Sequence, residues 1–396
     1  MDRYSFCEEV RKNFTENILP YWMKKMVDPN GGFYGRRDGH DSLHQDSPKG
    51  SILNARILWT FSAAYRILKR QEYLQMAKRA KEYLQDYFLD KEFGGVFWSL
   101  HADGTPSDTK KQFYAIAFAI YGFSEFARAT GDAQSKNIAT SLFEIIEKYS
   151  RDKEWGGYYE AATRDWQPID DMRLSNKDDN ASKTMNTHLH ILEAYTNLLR
   201  ISPENGALSN AVEDLLSLFF DKILDKDSYH LGLFFNNDWQ RRDSEISYGH
   251  DIEASWLLLE SANVLNNQDI LKKTFRNTKK IAMAALEGRC FDGSMVYERH
   301  GNGHYDNDKH WWVQAENVVG QIYLWKYHHI DGMLKKAMES WTYIDKNIVD
   351  HKNGEWYWSI KNGKVNLKED KSGFWKCPYH NSRMCIEVIE ILDSNR

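Results

Sequence analysis

The stretch "KEFGGVFWSL", residues 91–100, places two glycines before a run of large aromatic and apolar residues, between segments with helical periodicity. The same arrangement recurs along the chain. The other copies are "NGGFYGR" from Asn30, "WGGYYEA" from Trp155, "HLGLFFN" from His230, "FDGSMVYE" from Phe291 and "NGEWYWS" from Asn353. Their last glycines before the aromatic or apolar run are 63, 62, 75, 61 and 61 residues apart: Gly32, Gly95, Gly157, Gly232, Gly293 and Gly354. This near-constant period predicts a repeat architecture.

The segments between the glycine motifs have helical periodicity of two kinds. Some carry apolar residues on one face only, as in 72–88, 136–149 and 208–223. Others are apolar around almost the whole circumference, which is typical of a helix buried on all sides, as in 51–68, 112–127 and 250–265. The two kinds tend to alternate along the chain.

This alternation predicts an inner ring of six helices wrapped by an outer ring of six. The predicted helices are 8–25, 51–68, 72–88, 112–129, 136–149, 183–200, 208–223, 250–265, 269–286, 311–328, 332–348 and 380–393. We therefore expect an all-α fold, an (α/α)6 barrel formed by one domain over residues 1–396. The glycine motifs are expected to form short β-hairpin loops at one end, because glycine permits tight turns and aromatic residues favour strands.

Composition narrows the possible partners. Aromatic residues make up 14% of the chain, with 14 Trp and 22 Tyr, and flat rings suit packing against sugars. The net charge is −5 with no basic run, which argues against a nucleic-acid partner. The sequence shows no apolar stretch long enough to span a membrane and no secretory signal. Four scattered cysteines without metal spacing indicate reduced thiols, so we expect a cytoplasmic protein.

The N-terminal ends of the inner helices should meet at one mouth of such a barrel. Their first turns carry polar or aromatic residues in otherwise apolar sequence: Arg56, Tyr114, Asn186, His190, His250, Glu253, Trp256, Trp312, Glu316, His380 and Arg383. Residues three or four apart share a helix face, and buried polar groups are costly unless they are satisfied or used. We therefore expect these side chains to line one functional funnel.

Several of these residues also have simpler, purely structural explanations. A single histidine on an apolar helix is more often a satisfied core residue, but histidines at equivalent positions of several repeats favour a shared function. His188 and His190 resemble a metal-binding pair, yet positions two apart do not face each other, so we expect no metal and a structural role for His188. The polar segment 300–310 is expected to be a loop. Glu253 and Glu316 suit either a glycosidase acid/base pair or carboxylates that orient histidines.

Several stretches resemble one known family over the whole length. They are "NGGFYG", "ILNARILW", "FGGVFW", "KTMNTHLHILEAYT", "SYGHDIEASWL", "WWVQAENVVG" and "WKCPYHNSRMC". The chain resembles the N-acylglucosamine 2-epimerase superfamily and, within it, the cellobiose 2-epimerases. This resemblance implies an (α/α)6 barrel and a cofactor-free conversion of a reducing-end glucose to mannose. The expected substrate is a β-1,4-linked disaccharide such as cellobiose, lactose or mannobiose, and the expected assembly is a monomer or homodimer.

The resemblance also implies roles for individual residues. The two acid/base histidines match His250 and His380, with Arg56 and His190 as further catalytic groups. The remaining matches are expected to bind substrate: Tyr114, Asn186, Glu253, Trp312, Glu316 and Trp375. Trp256 is expected to bind substrate as well, because of its place in the first turns of an inner helix. Which histidine handles which proton stays open.

Inversion at C2 of an aldose requires an open-chain aldehyde and an enediolate, with proton removal and return on opposite faces. Histidine titrates near neutrality and suits both steps. The alternatives are an N-acylglucosamine 2-epimerase and an aldose–ketose isomerase such as a mannose isomerase. A glycoside hydrolase and a non-catalytic sugar-binding protein are less favoured, because neither needs paired histidines.

Overall fold

The computed structural model describes residues 1–175 and 178–393, and within them the chain is mainly helical. The α-helices of this part of the chain are α1 Arg3–Lys12, α2 Leu19–Lys25, α3 Ser51–Leu68, α4 Gln71–Tyr83, α5 Phe113–Thr130, α6 Ala133–Tyr149, α7 Met185–Ile201, α8 Gly206–Leu218, α9 Tyr248–Leu265, α10 Gln268–Ala285, α11 Trp311–Lys326, α12 Met333–Asn347 and α13 His380–Asp393. A π-helical turn at Asn13–Ile18 joins α1 to α2, so the two form one helical run. The helix positions therefore match the prediction. The first begins at Arg3 rather than residue 8, because the Asp2 carboxylate accepts a hydrogen bond from Ser5 N at 2.7 Å and caps it.

The fully apolar helices form a closed inner ring. Contacts run from α3 through α5, α7, α9 and α11 to α13, and α13 returns to α3. The amphipathic helices pack outside this ring, with α4 against α3, α6 against α5 and α1 against α13. A Cβ atom at Gly122 would lie 2.8 Å from the Ala55 carbonyl oxygen, so this glycine lets α5 approach α3 closely. The predicted (α/α)6 barrel is confirmed.

The glycine motifs form the expected small hairpins. Each is closed by one antiparallel bridge: Val27–Phe33, Leu89–Val96, Arg151–Tyr158, Leu224–Leu231, Arg289–Met295 and Val349–Trp356. Gly157 shows why glycine is needed, since its φ is +79° and a Cβ atom there would lie 2.4 Å from the Trp239 ring. The fourth motif differs from the prediction. Its left-handed residue is Tyr229, with φ +62°, and Gly232 lies beyond the turn.

Short strands lie at the same end of the barrel. In chain order they are β1 Lys49–Gly50, β2 Ser99–Leu100, β3 Lys111–Gln112, β4 Ala161–Ala162, β5 Lys183–Thr184, β6 Phe234–Phe235, β7 Ile246–Ser247, β8 Glu298–Arg299, β9 Tyr305–Asp306, β10 Lys309–His310, β11 Ser359–Lys361 and β12 Lys364–Val365. The strand that precedes each of the inner helices α3, α5, α7, α9 and α11 pairs with a strand of the next unit, as β1 does with β2 and β3 with β4. These pairs join neighbouring units around the rim where the inner helices begin.

Buried ion pairs reinforce this rim. Lys49 Nζ lies 2.6 Å from Asp28 Oδ2, Lys111 Nζ lies 2.8 Å from Asp90 Oδ2, and Lys183 has an equivalent pair. Each of these lysines begins a strand, and its aspartate lies in the hairpin of the same unit. The pairs hold the hairpins over the mouth. None of the helices in the described residues is long and apolar enough to cross a membrane.

Candidate active site

A cavity of about 470 Å³ opens at the mouth where the inner helices begin. Most of the residues predicted from sequence line it: Arg56, Tyr114, Asn186, His190, His250, Glu253, Trp312, Trp375 and His380. A second cavity of about 670 Å³ lies towards the rim and shares Asn186, His250, Tyr297 and Trp358 with the first. The prediction that the first turns of the inner helices converge at one place therefore agrees with the structure.

Two of the predicted substrate-binding residues lie behind the cavity wall. Trp256 is 1% exposed and donates its indole N–H to Glu316 Oε2 at 2.9 Å. Glu316 is fully buried and does not reach the cavity surface. Both are therefore placed to support other side chains rather than to contact a sugar.

The histidines at the cavity each use Nδ1 to contact a different partner. Nδ1 of His380 lies 2.7 Å from Glu316 Oε1, and Nδ1 of His190 lies 2.8 Å from Glu193 Oε2. Nδ1 of His250 lies 2.8 Å from the Ser247 hydroxyl. Within the described residues, Nε2 of none of these three rings makes a hydrogen bond. The Nε2 atoms are therefore the ones available to a ligand.

The two predicted acid/base residues, His250 and His380, both pack near the ring of Trp312. Its ring centroid lies 4.8 Å from that of His250 and 5.5 Å from that of His380. His190 approaches the cavity from another side and packs edge-on against Tyr114, with ring centroids 5.1 Å apart. The imidazoles therefore surround a common volume and come from three different helices.

The environment keeps the two acid/base histidines neutral. Burial lowers the pKa of His250 to about 3, and the nearby charge of His190 acts in the same direction. Burial also holds the pKa of His380 well below its usual value, and the charges of Arg56 and Arg383 contribute. Both imidazoles are thus unprotonated at neutral pH and can act as bases, provided that a developing charge on the ligand compensates the proton they take up.

Arg383 neutralises the carboxylates behind the cavity. Its Nη2 lies 2.7 Å from Glu316 Oε1, and its guanidinium also hydrogen-bonds Glu253 and Glu193. Burial, with the charge of Glu316, raises the pKa of Glu253 to about 7. Burial alone would raise the pKa of Glu193 as well, but the charges of Arg383 and His190 bring it down to about 2. One cation shared by three carboxylates fits a partly protonated cluster.

The same cluster contains the group of side chains within the described residues whose ligand atoms are close enough to hold a metal ion: Glu253, Glu316 and His380. The guanidinium of Arg383 already contacts both carboxylates. A divalent cation there would be repelled by this fixed positive charge. The donor set therefore fits a guanidinium rather than a metal. Sequence analysis placed Arg383 at the mouth but assigned it no role, because its partners lie far away in sequence.

Arg56 differs from Arg383 because it has no anionic partner. It is 3% exposed, donates Nη2–H to the Tyr114 hydroxyl at 2.9 Å, and lies against the Phe118 and Tyr379 rings. Among the described residues no carboxylate lies within 4 Å of it, and its Nε has no hydrogen-bond partner. A guanidinium stays protonated, so Arg56 offers a buried positive charge to an anion in the cavity.

Aromatic rings form the outer wall of the mouth. The ring centroid of Trp375 lies 6.0 Å from that of Trp98 and 6.1 Å from that of Tyr114. Further lining residues were not predicted from sequence, among them Tyr297 and Trp358. Both lie in loops or strands of irregular length, where no helical period signals their direction.

The segment 300–310 contributes more than a simple loop. It contains β9 and β10, and His310 at the end of β10 lines the cavity and stacks on Tyr297, with ring centroids 4.1 Å apart. His188 has the structural role expected from sequence. Its Nδ1 hydrogen-bonds the Thr184 carbonyl oxygen at 2.6 Å, and its Nε2 accepts from Tyr158 N at 2.9 Å.

Comparison with known proteins agrees with this fold. The family model for N-acylglucosamine 2-epimerase matches residues 32–383. The chain belongs to this family. It is 55% identical to a cellobiose 2-epimerase of Bacteroides fragilis over 385 residues, covering 96% of this chain and 98% of that protein. It is also 39% identical to the cellobiose 2-epimerase of Ruminococcus albus, covering 96% and 97%. The solved cellobiose 2-epimerase of Bacillus thermoamylovorans superposes with a TM-score of 0.94 at 40% identity, covering 98% and 99%.

Proposed function

We propose that this chain is a carbohydrate 2-epimerase that interconverts glucose and mannose at the reducing end of β-1,4-linked disaccharides. The observation that carries the proposal is that the rings of His250 and His380 lie 4.8 and 5.5 Å from that of Trp312, in a cavity that also holds the guanidinium of Arg56, which has no carboxylate partner among the described residues. Two neutral bases and one fixed cation are what proton transfer through an enediolate requires. The names of the full-length relatives support the choice of cellobiose as substrate.

The reaction follows from these positions. The sugar opens to its aldehyde, and one of the two imidazoles takes the C2 proton through Nε2. The electron pair moves onto the carbonyl and forms a cis-enediolate, whose O1 and O2 charge is stabilised by Arg56 and a hydrogen bond from His190. Beside the anionic enediolate the second imidazole takes up a proton from water and delivers it to C2 from the opposite face, and the first imidazole releases its proton to water. The configuration at C2 is inverted, and no group is gained or lost.

The mouth provides room for the second sugar unit. The inner cavity of about 470 Å³ continues into the outer one of about 670 Å³, and both fall in the usual range for ligand sites. In this proposal Trp312 packs on the reducing unit and Trp375 on the non-reducing unit, while Asn186 and Glu253 bind hydroxyls. The buried Oδ1 of Asn186 has no hydrogen-bond partner among the described residues, which suits that role.

The test is incubation of the purified protein with cellobiose in D₂O, with and without EDTA, followed by NMR of the products. We expect 4-O-β-glucosyl-mannose with deuterium at C2 and the same rate in EDTA. N-acetylglucosamine is the comparison substrate and should react more slowly than cellobiose.

Other products would indicate other functions. A 2-ketose as main product would indicate an aldose–ketose isomerase, free glucose a hydrolase, and no product a sugar-binding protein. Epimer whose C2 hydrogen is fully retained in D₂O would contradict the two-histidine mechanism. The cytoplasmic location and the monomeric or homodimeric state stay predictions, and size-exclusion chromatography with light scattering tests the latter.

A further inference from the structure

The two acid/base histidines differ in the group that contacts Nδ1. Glu316 faces Nδ1 of His380 at 2.7 Å, whereas the Ser247 hydroxyl faces Nδ1 of His250 at 2.8 Å. The Glu316 carboxylate is part of a charged cluster, because Nη2 of Arg383 lies 2.7 Å from the same Oε1. The Ser247 hydroxyl is uncharged and contacts His250 by a hydrogen bond alone. The pair is therefore unequal although both rings line one cavity.

We propose that Ser247 is a positioning residue that sets the tautomer and the proton affinity of His250, an inference that rests on the proposed function. The Ser247 oxygen accepts the Nδ1–H of His250, which leaves the Nε2 lone pair facing the sugar. Because the acceptor is neutral, it stabilises protonated His250 without a compensating charge, so protonated His250 gives up its proton readily.

The local structure indicates that the Ser247 hydroxyl acts mainly through its contact with His250. Ser247 is the N-cap residue of α9, yet its side chain makes no capping hydrogen bond. Its backbone pairs with Glu298 in the β7–β8 strand pair, and that pairing does not involve the side chain. Ser247 is 1% exposed, and it is not among the residues that line either cavity of the mouth. Loss of the hydroxyl should therefore act on His250 without removing a cap or a sugar contact.

The test uses three substitutions in the full chain: Ser247→Ala, Ser247→Cys and Ser247→Thr. The first removes the acceptor, the second replaces it with a weak one of similar size, and the third keeps it. We expect kcat to fall about tenfold in both directions for Ala and Cys, with KM unchanged, and to stay near the parent for Thr. Cys serves if the Ala variant does not fold.

A second readout separates this role from a purely structural one. In D₂O, deuterium appearing in unconverted substrate measures how often the enediolate returns before the second proton arrives. If only the His250 step is slowed, this back-exchange should rise up to about tenfold for the one epimer deprotonated by His380, and not for the other. The asymmetry does not require knowing beforehand which epimer that is.

Two results would overturn the inference. One is an Ala variant whose kcat stays within about twofold of the parent, and the other is equal back-exchange from both epimers. Loss of activity in the Thr variant equal to that in Ala would also contradict it, since the acceptor is still present. Parent protein that forms no epimer at all would instead refute the proposed function, so the two failures are distinguishable.

Discussion

The two ends of the barrel both bury charge, but they use it differently. Opposite the mouth, where the inner helices end, a cavity of about 360 Å³ is lined by arginines and glutamates. There Arg66 Nε lies 2.6 Å from Glu125 Oε1, and Arg200 is paired with Glu260. At the mouth, the carboxylates contact imidazoles, and Arg56 has no carboxylate partner among the described residues.

This difference favours the mouth as the end where the proposed chemistry takes place. At the far end cations and carboxylates neutralise each other, so their main effect is to hold helices together. At the mouth the N-termini of the inner helices add partial positive charge, and the guanidinium of Arg56 adds more. The proposed enediolate is an anion, so these positive charges would stabilise it. Four predictions test this contrast, from the largest expected effect to the smallest.

The largest effect is expected from removing either acid/base histidine. His250→Asn or His380→Asn should lower kcat by about 10²–10⁴, because general acid–base catalysis contributes that much. Disaccharide affinity, measured by calorimetry, should change far less. His328→Asn is the control, since His328 is also buried but lies just beyond the C-terminal end of α11. If either active-site variant retained parental turnover, the assignment would be wrong.

At the far end, loss of a charge should affect stability instead of turnover. Arg66→Met leaves the buried Glu125 without its closest cation, which should lower the free energy of unfolding by about 3 kcal/mol. Urea unfolding measures this change. kcat, measured well below the unfolding transition, should match the parent. A proportional loss of kcat would show that the two ends are functionally coupled.

Removing the charge of one carboxylate should also affect the two ends differently, and at the mouth it should lower kcat less than loss of a histidine does. Glu316→Gln keeps the shape but removes the charge beside His380, and we expect kcat to fall about ten- to hundredfold, the usual cost of losing such a supporting partner. Glu387→Gln is the matched control, because Glu387 accepts from the Tyr323 hydroxyl at 3.0 Å at the far end. Equal losses in both variants would remove the contrast.

At acidic pH, histidines at both ends of the barrel should have the same effect on the stability of the fold. Burial lowers the pKa of His250 to about 3 and that of His328 to about 4, so between pH 6.5 and 4 each of these two histidines binds more protons in the unfolded chain than in the folded one. The contribution of each histidine to stability should be complete above pH 6.5 and should fall below it, by on the order of 1–2 kcal/mol at pH 5. Burial raises the pKa of Glu160 and Glu387 to about 8, and these carboxyl groups act in the opposite direction, so each Asn variant is compared with the parent. Urea unfolding at pH 7 and pH 5 measures the difference, and each variant should lose less stability on acidification than the parent, or gain more. The same pH dependence in parent and variants would contradict the prediction.

The sequence was informative where structure depends on local periodicity. The helix α3 was predicted with its observed bounds, and the alternation of amphipathic and apolar helices predicted the two rings. Most of the residues predicted in the first turns of the inner helices line the cavity. The turn of the fourth motif was predicted wrongly, because Tyr229, not a glycine, has the left-handed conformation there.

Contacts between units were beyond the reach of sequence patterns. Arg383 hydrogen-bonds Glu193, 190 positions away, and Trp256 turns to Glu316 rather than to the cavity. Glu316 was expected as a carboxylate that could orient a histidine, and it contacts Nδ1 of His380. The Nδ1 partners Ser247 and Glu193 were not predicted, although each is only three positions from its histidine. A spacing of three residues allows two side chains to contact each other but does not determine whether they do.

The sequence by itself determined the barrel, the end at which the inner helices begin, and the kinds of side chain that meet there. It could do so because helical periodicity and glycine turns are encoded within short stretches. Only the tertiary structure decided that His380 faces a carboxylate and His250 a hydroxyl, and that Arg383 is neutralised while Arg56 is not. Burial, charge pairing and proton affinity depend on atoms brought together from different units, and no single stretch of the chain contains that information.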